Sequence, residues 1–337
     1  MLQTIWFILW GVLWAAYFVL DGFDLGVGSL LPFIAKGEDQ KQVVHGSIWP
    51  YWDGNEVWLI SAGGITFAAF PTTYAVMFSA LYAALMLILF SLIIRGVSVD
   101  YRTKTESETL KRWCDRGIFM GSLLPALLFG VAFANIFKGV PIDGEGVFHG
   151  TMLTLLNPYG LAGGVLFVLL FLLHGSLWLA HKTEGTVQEK AAALSPKLWN
   201  ALTVVAVGFL GYTAFATELY NNYLAHPVLF VIPLVAVAAL IATRFLIGSE
   251  KWLGAWASSA VTIAFVTFFG LGGLFPNLFP SSLDTAWSLT AFNSSSSPLT
   301  LKIMLAVAVV MVPIVIAYQV WAYMFFKHKV PEGGMVY

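Results

Sequence analysis

The chain has 337 residues, of which 59% are hydrophobic and 10% are charged, and its net charge is −1. Soluble domains carry about 25% charged residues, so this composition predicts an all-α, polytopic membrane protein. A membrane β-barrel is excluded because the apolar runs are continuous and about 20 residues long. The chain has no basic excess for nucleic acid, and its single cysteine, Cys114, excludes an internal disulfide and a Cys-x-x-Cys-His haem attachment.

Nine apolar segments are predicted to span the membrane, with loops too short for a separate soluble domain. The first lacks a basic leader and a cleavage site, which favours a retained helix over a signal peptide. The second begins with charged residues, so a count of eight stays open. In chain order the predicted spans are 5–27, 51–70, 74–95, 117–137, 159–181, 198–219, 228–247, 256–276 and 303–326.

The distribution of basic residues favours nine spans over eight. With nine, all but two of the 17 lysine and arginine residues fall on one side of the membrane, the exceptions being Lys138 and Lys302. Basic loops are typically cytoplasmic, so the C-terminus is predicted inside and the N-terminus outside. The chain is interpreted as one integral membrane domain, with halves 1–140 and 159–280 and a last helix at 303–326.

Two carboxylates interrupt the first apolar segment, where a membrane helix tolerates charge poorly. Asp21 and Asp24 lie one turn apart in LDGFDLGVG (residues 20–28), whose glycines allow a neighbouring backbone to approach closely. Carboxylates inside a membrane usually face a bundle interior or a wet cavity and mark ion or proton paths. We predict a role in proton transfer, with a helix cap or an ion pair to a neighbouring helix as the alternative.

A second pair, Asp53 and Glu56, lies at the start of the second apolar segment, and its spacing predicts one shared helix face. A structural explanation is available, since Pro50 suits a helix start and acidic residues are favoured in a first turn. That explanation does not account for the aromatic and polar side chains gathered around Trp52, which could form an interfacial belt or belong to a functional site. Both interpretations stay open on the sequence alone.

Arg95 ends the third apolar segment on the same predicted side as these acids. Its guanidinium can pair with one of them, although anchoring under the positive-inside rule accounts for its position as well.

The histidines argue against a haem or metal site in this chain. His174 and His181 lie in one predicted span and are seven residues apart, so they share a helix face and cannot bracket one iron. No Glu-x-x-His motif and no phosphate-binding glycine loop is present. We therefore predict no catalytic residue and no metal ligand here, with the redox chemistry elsewhere.

Segments spread over nearly the whole chain resemble subunit II of the cytochrome bd quinol oxidases. The most specific is WDGNEVW at 52–58. The others are LDGFDLGVG at 20–28, RGVSVDYR at 95–102, GVAFAN at 130–135, LLNPYG at 155–160, PNLFPSS at 276–282 and SSPLTL at 296–301.

The resemblance implies a haem-free subunit of an electrogenic complex that oxidises a membrane quinol and reduces oxygen to water. It implies a bacterial or archaeal cytoplasmic membrane and a fold of two four-helix bundles plus one peripheral helix. Two b-type haems and one haem d are expected in the partner, subunit I, whose assembly this chain supports. Small single-helix accessory subunits and a structural quinone within this chain are also suggested.

The resemblance also implies a role for Asp53, because the matching family acid is implicated in a cytoplasmic proton path that crosses the subunit boundary. We extend that path to neighbouring acids at similar depth. The predicted path residues, followed by two supporting residues, are Asp53, Asp21, Asp24, Glu56, Trp52 and Arg95.

Two other functions use the same residues differently. A stand-alone proton-coupled secondary transporter would place the acids at a substrate site between repeats and would work without a partner. A purely structural assembly subunit would hold all of them in salt bridges.

Overall fold

The computed structural model describes residues 1–333, which form 13 α-helices and one two-stranded antiparallel sheet. The strands β1 (Asn277–Phe279) and β2 (Leu289–Thr290) lie in the loop before the last helix. The helices are α1 Leu2–Ile34, α2 Glu38–Ile48, α3 Trp52–Ala69, α4 Pro71–Ala80, α5 Tyr82–Arg102, α6 Glu108–Lys138, α7 Met152–Leu155, α8 Pro158–Lys182, α9 Gly185–Ala216, α10 Tyr220–Ala225, α11 Val231–Gly248, α12 Trp252–Leu274 and α13 Pro298–Phe325.

Two of the long helices begin with the same local signal, a polar cap followed by proline. The Asn157 side chain accepts a hydrogen bond from the Gly160 amide at 3.0 Å, and the Ser297 hydroxyl accepts one from the Thr300 amide at 3.2 Å. Each cap satisfies an amide that has no partner inside the helix, and the following proline needs no donor there. These short sequences therefore fix where α8 and α13 begin.

The predicted number of spans is not confirmed. Within residues 1–333, eight helices are long and apolar enough to cross a membrane, and α3 is not among them. This helix has 18 residues and carries three polar side chains among its first five residues, at Asp53, Asn55 and Glu56, which lowers its hydropathy.

The third predicted span also differs from the structure. The chain bends at Leu81, between α4 and α5, and α5 continues past Arg95 to Arg102. The polar end of α5 is stabilised because Arg102 Nε donates to Asp115 on α6 at 2.6 Å and Arg102 Nη2 donates to Glu38 on α2 at 3.0 Å. These contacts join α2, α5 and α6 on the side of the bundle where α1, α5, α8 and α11 end, called the basic side below.

In the described part of the chain, eight helices form two packed groups, with α1, α3, α5 and α6 in one and α8, α9, α11 and α12 in the other. The groups meet where α1 and α6 pack against α8. At this crossing, a Cβ added to Gly26 would lie 1.9 Å from the Phe171 carbonyl oxygen, and one added to Gly175 would lie 2.5 Å from the Val27 amide nitrogen. The two backbones therefore touch, and every residue of α1 from 21 to 31 is buried.

The last helix, α13, lies on the outside of these groups. Within α13, all of which is described, Leu301 is the single buried residue, and its carbonyl accepts a hydrogen bond from Trp6 Nε1 at 3.0 Å. The α3 helix runs antiparallel beside α13. The Ser296 amide donates to the Ala69 carbonyl at 2.9 Å, and at the other end Tyr323 donates to Asn55 at 2.9 Å.

Candidate functional site

Arg95 lies inside the bundle and pairs with an acid of the first helix. Its Nη2 donates to Asp21 Oδ1 at 2.7 Å, and the two side chains are 2% and 0% exposed. The helix α6 packs tightly behind it, since a Cβ added to Gly121 would lie 2.8 Å from Arg95 Cβ. The structure thus places the guanidinium against a predicted site residue and away from the lipid boundary, where an anchoring arginine would lie.

The same guanidinium nitrogen also donates to Glu56 on α3. Glu56 is partly open, with 22% of its side chain exposed. One arginine therefore lies between two carboxylates that come from different helices, one closed off from the surface and one at the edge of the bundle.

Asp24 belongs to a neighbouring hydrogen-bonded group centred on Asn55, which is completely buried. Asn55 Nδ2 donates to Asp24 Oδ2 at 2.7 Å. Asn55 Oδ1 accepts from Gln319 Nε2 and from the Tyr323 hydroxyl, each at 2.9 Å. The last helix thereby fixes the orientation of the amide that contacts Asp24.

Three residues of this group, Asn55, Gln319 and Tyr323, are not among the site residues predicted from the sequence. Asn55 lies within the family-like segment at 52–58, and Gln319 is a lone amide in an otherwise apolar span, so both carried a usable signal. Tyr323 had no feature in the sequence that marked it as a site residue.

Asp53 and Glu56 lie about 60° apart around α3, yet Asp53 is exposed and makes no ion pair with any described residue, whereas Glu56 contacts Arg95. The buried side of α3 consists of Asn55, Trp58, Ala62, Thr66 and Ala69. Asp53 precedes Asn55 by two residues, which is about 200° around a helix, so it points to the opposite side. Around the axis of α3, Glu56 lies between the directions of Asn55 and Asp53, which explains why it is partly exposed.

Trp52 covers the cluster from the start of α3. A Cβ added to Gly96 would lie 3.0 Å from the Trp52 ring, so the indole rests on the α5 backbone next to Arg95. Trp52 is thus a packing neighbour of the ion pair.

Charge is unbalanced inside this cluster. Asp21 and Glu56 share the single guanidinium of Arg95, and a third carboxyl group, that of Asp24, lies nearby with Asn55 as its partner. Among the described residues, Asp21 Oδ2, Asp24 Oδ1 and two nitrogens of Arg95, Nε and Nη1, have no hydrogen-bond partner. Excess negative charge is costly in a low dielectric, so a cluster of this composition can take up and release a proton.

The geometry around His174 does not fit an iron ligand. Its Nδ1 lies 2.6 Å from the Ser259 hydroxyl, its Nε2 lies 3.1 Å from the Val19 carbonyl oxygen, and its ring stacks on Trp256. Both ring nitrogens are therefore engaged by protein atoms. Residues 1–333 contain no group of three or more histidine, cysteine, aspartate or glutamate side chains that could hold a metal ion.

The family model of cytochrome bd terminal oxidase subunit II matches residues 2–326. Among curated proteins, the chain is similar to the cytochrome bd-I ubiquinol oxidase subunit 2 of Escherichia coli, with 37% identity over 96% of this chain and 93% of that one. It is 34% identical to the cytochrome bd ubiquinol oxidase subunit 2 of Bacillus subtilis, over 98% of this chain and 97% of that one. A probable cytochrome oxidase subunit 2 of Haemophilus influenzae is 35% identical over the same shares as the E. coli protein.

The fold is shared with a solved structure, that of the bd oxidase from Geobacillus thermodenitrificans. One of its chains matches with a TM-score of 0.77 and 18% identity, covering 97% of this chain and 99% of that one. The match extends over both helix groups and α13. From the family model and from relatives matched along almost their full length, the chain belongs to the family of cytochrome bd terminal oxidase subunit II.

Proposed function

We propose that this chain contributes a proton path to a quinol oxidase complex, running from Asp53 through Glu56 to Asp21 and Asp24. Its relatives are subunits of quinol oxidases, which does not favour a stand-alone transporter. The chain itself performs no redox step in this proposal. It positions carboxyl groups along a proton path that crosses the boundary with a partner subunit.

The observation that carries this proposal is a graded exposure of acids that lie next to one another. Asp53 is exposed on the outer side of α3, Glu56 is 22% exposed, and Asp21 is 0% exposed. Acids in a purely structural ion-pair network need no such order from surface to interior. A conducting series needs an entrance, an intermediate and an interior group.

Arg95 links the intermediate and interior groups. Because Glu56 and Asp21 accept from the same nitrogen, protonation of one changes the electrostatic field at the other. The oxygen and nitrogen atoms without a protein partner are sites where buried water can bind and complete a hydrogen-bonded chain.

The outer side of α3 is the proposed contact with subunit I. Asp53 and Gly54 are exposed there, as is Val57, and Ile60 has 73% of its surface accessible. The partner would hold two b-type haems and haem d, which supply the oxygen-reducing chemistry. Small accessory subunits belong to the same proposed complex.

We also propose nine crossings, with the basic side in the cytoplasm and the N-terminus outside. The α3 helix supports nine because it contacts both ends of α13, which is itself long and apolar enough to span. A structural quinone in this chain would need an apolar cavity. The one of about 400 Å³ among α1, α3, α4, α5 and α6 offers suitable chemistry.

The test is the Asp53→Asn variant of the whole complex, assayed for quinol-driven oxygen consumption and for haem content. The proposal expects turnover to fall while the haem spectrum is retained. Asp39→Asn is the matched control, because Asp39 is also an exposed acid near the basic side but lies on α2. Unchanged turnover in Asp53→Asn would refute the path, and loss of haem would instead favour a role in assembly.

The order of effects tests the path more closely. Asp21→Asn and Asp24→Asn are expected to slow oxygen consumption per haem less than Asp53→Asn does. An equal or larger loss in Asp21→Asn would contradict the assignment of Asp53 as the entrance.

A further inference from the structure

An apolar cavity of about 100 Å³ lies among α6, α8, α9, α11 and α12, apart from the acidic cluster. It reaches inward to the fully packed Phe18 on α1. Thr262 and Thr267 also line it, but their hydroxyls donate to carbonyls of their own helix. The interior therefore suits hydrocarbon and offers nothing to a polar group. Its other lining residues include Phe133, Phe167, Leu202, Phe209, Ala236 and Leu240.

The cavity opens outward between α9 and α11, where the lining residue Val237 is 46% exposed. Toward the basic side, the opening ends at a tryptophan and an arginine. Trp199 Nε1 donates to the Leu240 carbonyl at 2.7 Å, and the Arg244 guanidinium lies 6.0 Å from the Trp199 ring centre. Leu240 lines the cavity one turn before Arg244 on α11, so the cation directly borders the apolar opening.

Arg244 is a cation without an acidic partner in the described residues. None of the ion pairs within residues 1–333 includes it, and its side chain is exposed. Its Nη1 extends toward Gly248, the last residue of α11. This is the direction in which a long basic side chain reaches the level of lipid headgroups.

We propose that this place binds an anionic phospholipid, with part of one acyl chain in the cavity and the phosphate at Arg244. A thin hydrocarbon chain matches the apolar interior, and a negative headgroup complements the unpaired guanidinium. Basic pockets between membrane helices are known to bind anionic headgroups in this way. Trp199 positions the cation over its ring and closes the inner side of the opening.

A second arginine on a tryptophan provides an internal control. Arg116 lies 5.0 Å from the Trp113 ring centre, also near the basic side, but neither residue lines that cavity or the apolar cavity of about 400 Å³. If anionic lipid were attracted to basic residues in general, replacing either arginine would weaken lipid binding equally. If the lipid binds at the proposed site, only the replacement of Arg244 should weaken it.

The experiment uses the purified, delipidated complex, titrated with phosphatidylglycerol or phosphatidylcholine. Bound lipid is counted by native mass spectrometry, and thermal unfolding is followed in parallel. We expect phosphatidylglycerol to bind more tightly and raise the melting temperature more. In Arg244→Gln its affinity should fall about fivefold, the effect of one basic residue at an anionic headgroup. Arg116→Gln should change it less than about twofold.

The Ala206→Leu variant tests whether the acyl chain lies in the cavity. Ala206 lines the cavity, so the larger leucine side chain should occupy part of it and weaken the binding of both lipids. Equal losses in Arg244→Gln and Arg116→Gln would overturn the proposal, as would equal affinity for the two lipids in the wild-type complex. Recovery of a quinone as the molecule displaced by Ala206→Leu would also overturn it. If Ala206→Leu does not assemble, the arginine pair alone decides the question.

Discussion

Arg95 is the single cation of the buried cluster, and its removal gives a quantitative test of the pair with Asp21. The Arg95→Gln variant leaves Asp21 charged and closed off from water, since both side chains are at most 2% exposed. Removing one partner of a buried pair costs about 3–5 kcal/mol. In the double variant with Asp21→Asn, both charges of the pair are removed together. We therefore expect its loss of stability to be smaller than the sum of the single losses, by about 2 kcal/mol.

The assay is chemical denaturation of the purified complex in mixed micelles, with the four members of the cycle compared at equal haem content. Arg112→Gln is the control, because Arg112 is exposed and pairs with no carboxylate among residues 1–333. Its effect should stay within about 0.5 kcal/mol. Losses in the cycle that add to within about 0.5 kcal/mol would refute a direct interaction between Asp21 and Arg95.

Three further predictions concern other contacts. Replacing Asn55 by leucine should lower the free energy of unfolding by about 1–3 kcal/mol in the same assay, because Asp24 and the Tyr323 hydroxyl lose a buried hydrogen-bond partner. An unchanged free energy of unfolding would show that these contacts contribute nothing. Burial lowers the pKa of His45 from 6.5 to about 4. The contribution of the neutral side chain to stability should therefore be complete above pH 6.5 and decrease as the pH falls to 4, by at most about 3 kcal/mol. If the stability of His45→Gln depended on pH in the same way, this prediction would be contradicted. Gly26→Ala should lower the melting temperature strongly, because α8 leaves no room for a Cβ, whereas Gly64→Ala, which points into open space, should not; equal effects would refute the close contact of α1 and α8.

The fold class could be predicted because the length and apolar composition of each span are properties of a single segment of the sequence. The number of crossings was harder, since α3 carries the site residues among its first five residues and so loses the hydropathy that marks a span. The bend at Leu81 and the extension of α5 to Arg102 also went unpredicted. Both depend on contacts with distant elements, as the pairing of Arg102 with Glu38 shows.

For the site, the four acids and Arg95 could be named from their positions in apolar segments, and a pair of Arg95 with one of the acids was expected, but which acids it contacts could not be predicted. A spacing of three residues places Asp53 and Glu56 near one face of α3, and packing of that helix through Asn55 left Asp53 exposed and Glu56 partly buried. The contact of Asn55 with Gln319 joins residues 264 positions apart, which no local pattern can reveal. Periodicity thus identifies polar residues inside a membrane, and only tertiary packing decides which of them meet.

The attachment of α13 has a consequence for how the chain is made. Trp6 donates to the Leu301 carbonyl, and Asn55 accepts from Gln319 and Tyr323, so early helices depend on the last one for their buried polar partners. A ribosome delivers those partners at the end of translation. Until then the first and third helices are inserted in an incomplete state, and a prematurely terminated product that ends before Gln319 lacks the groups that complete it.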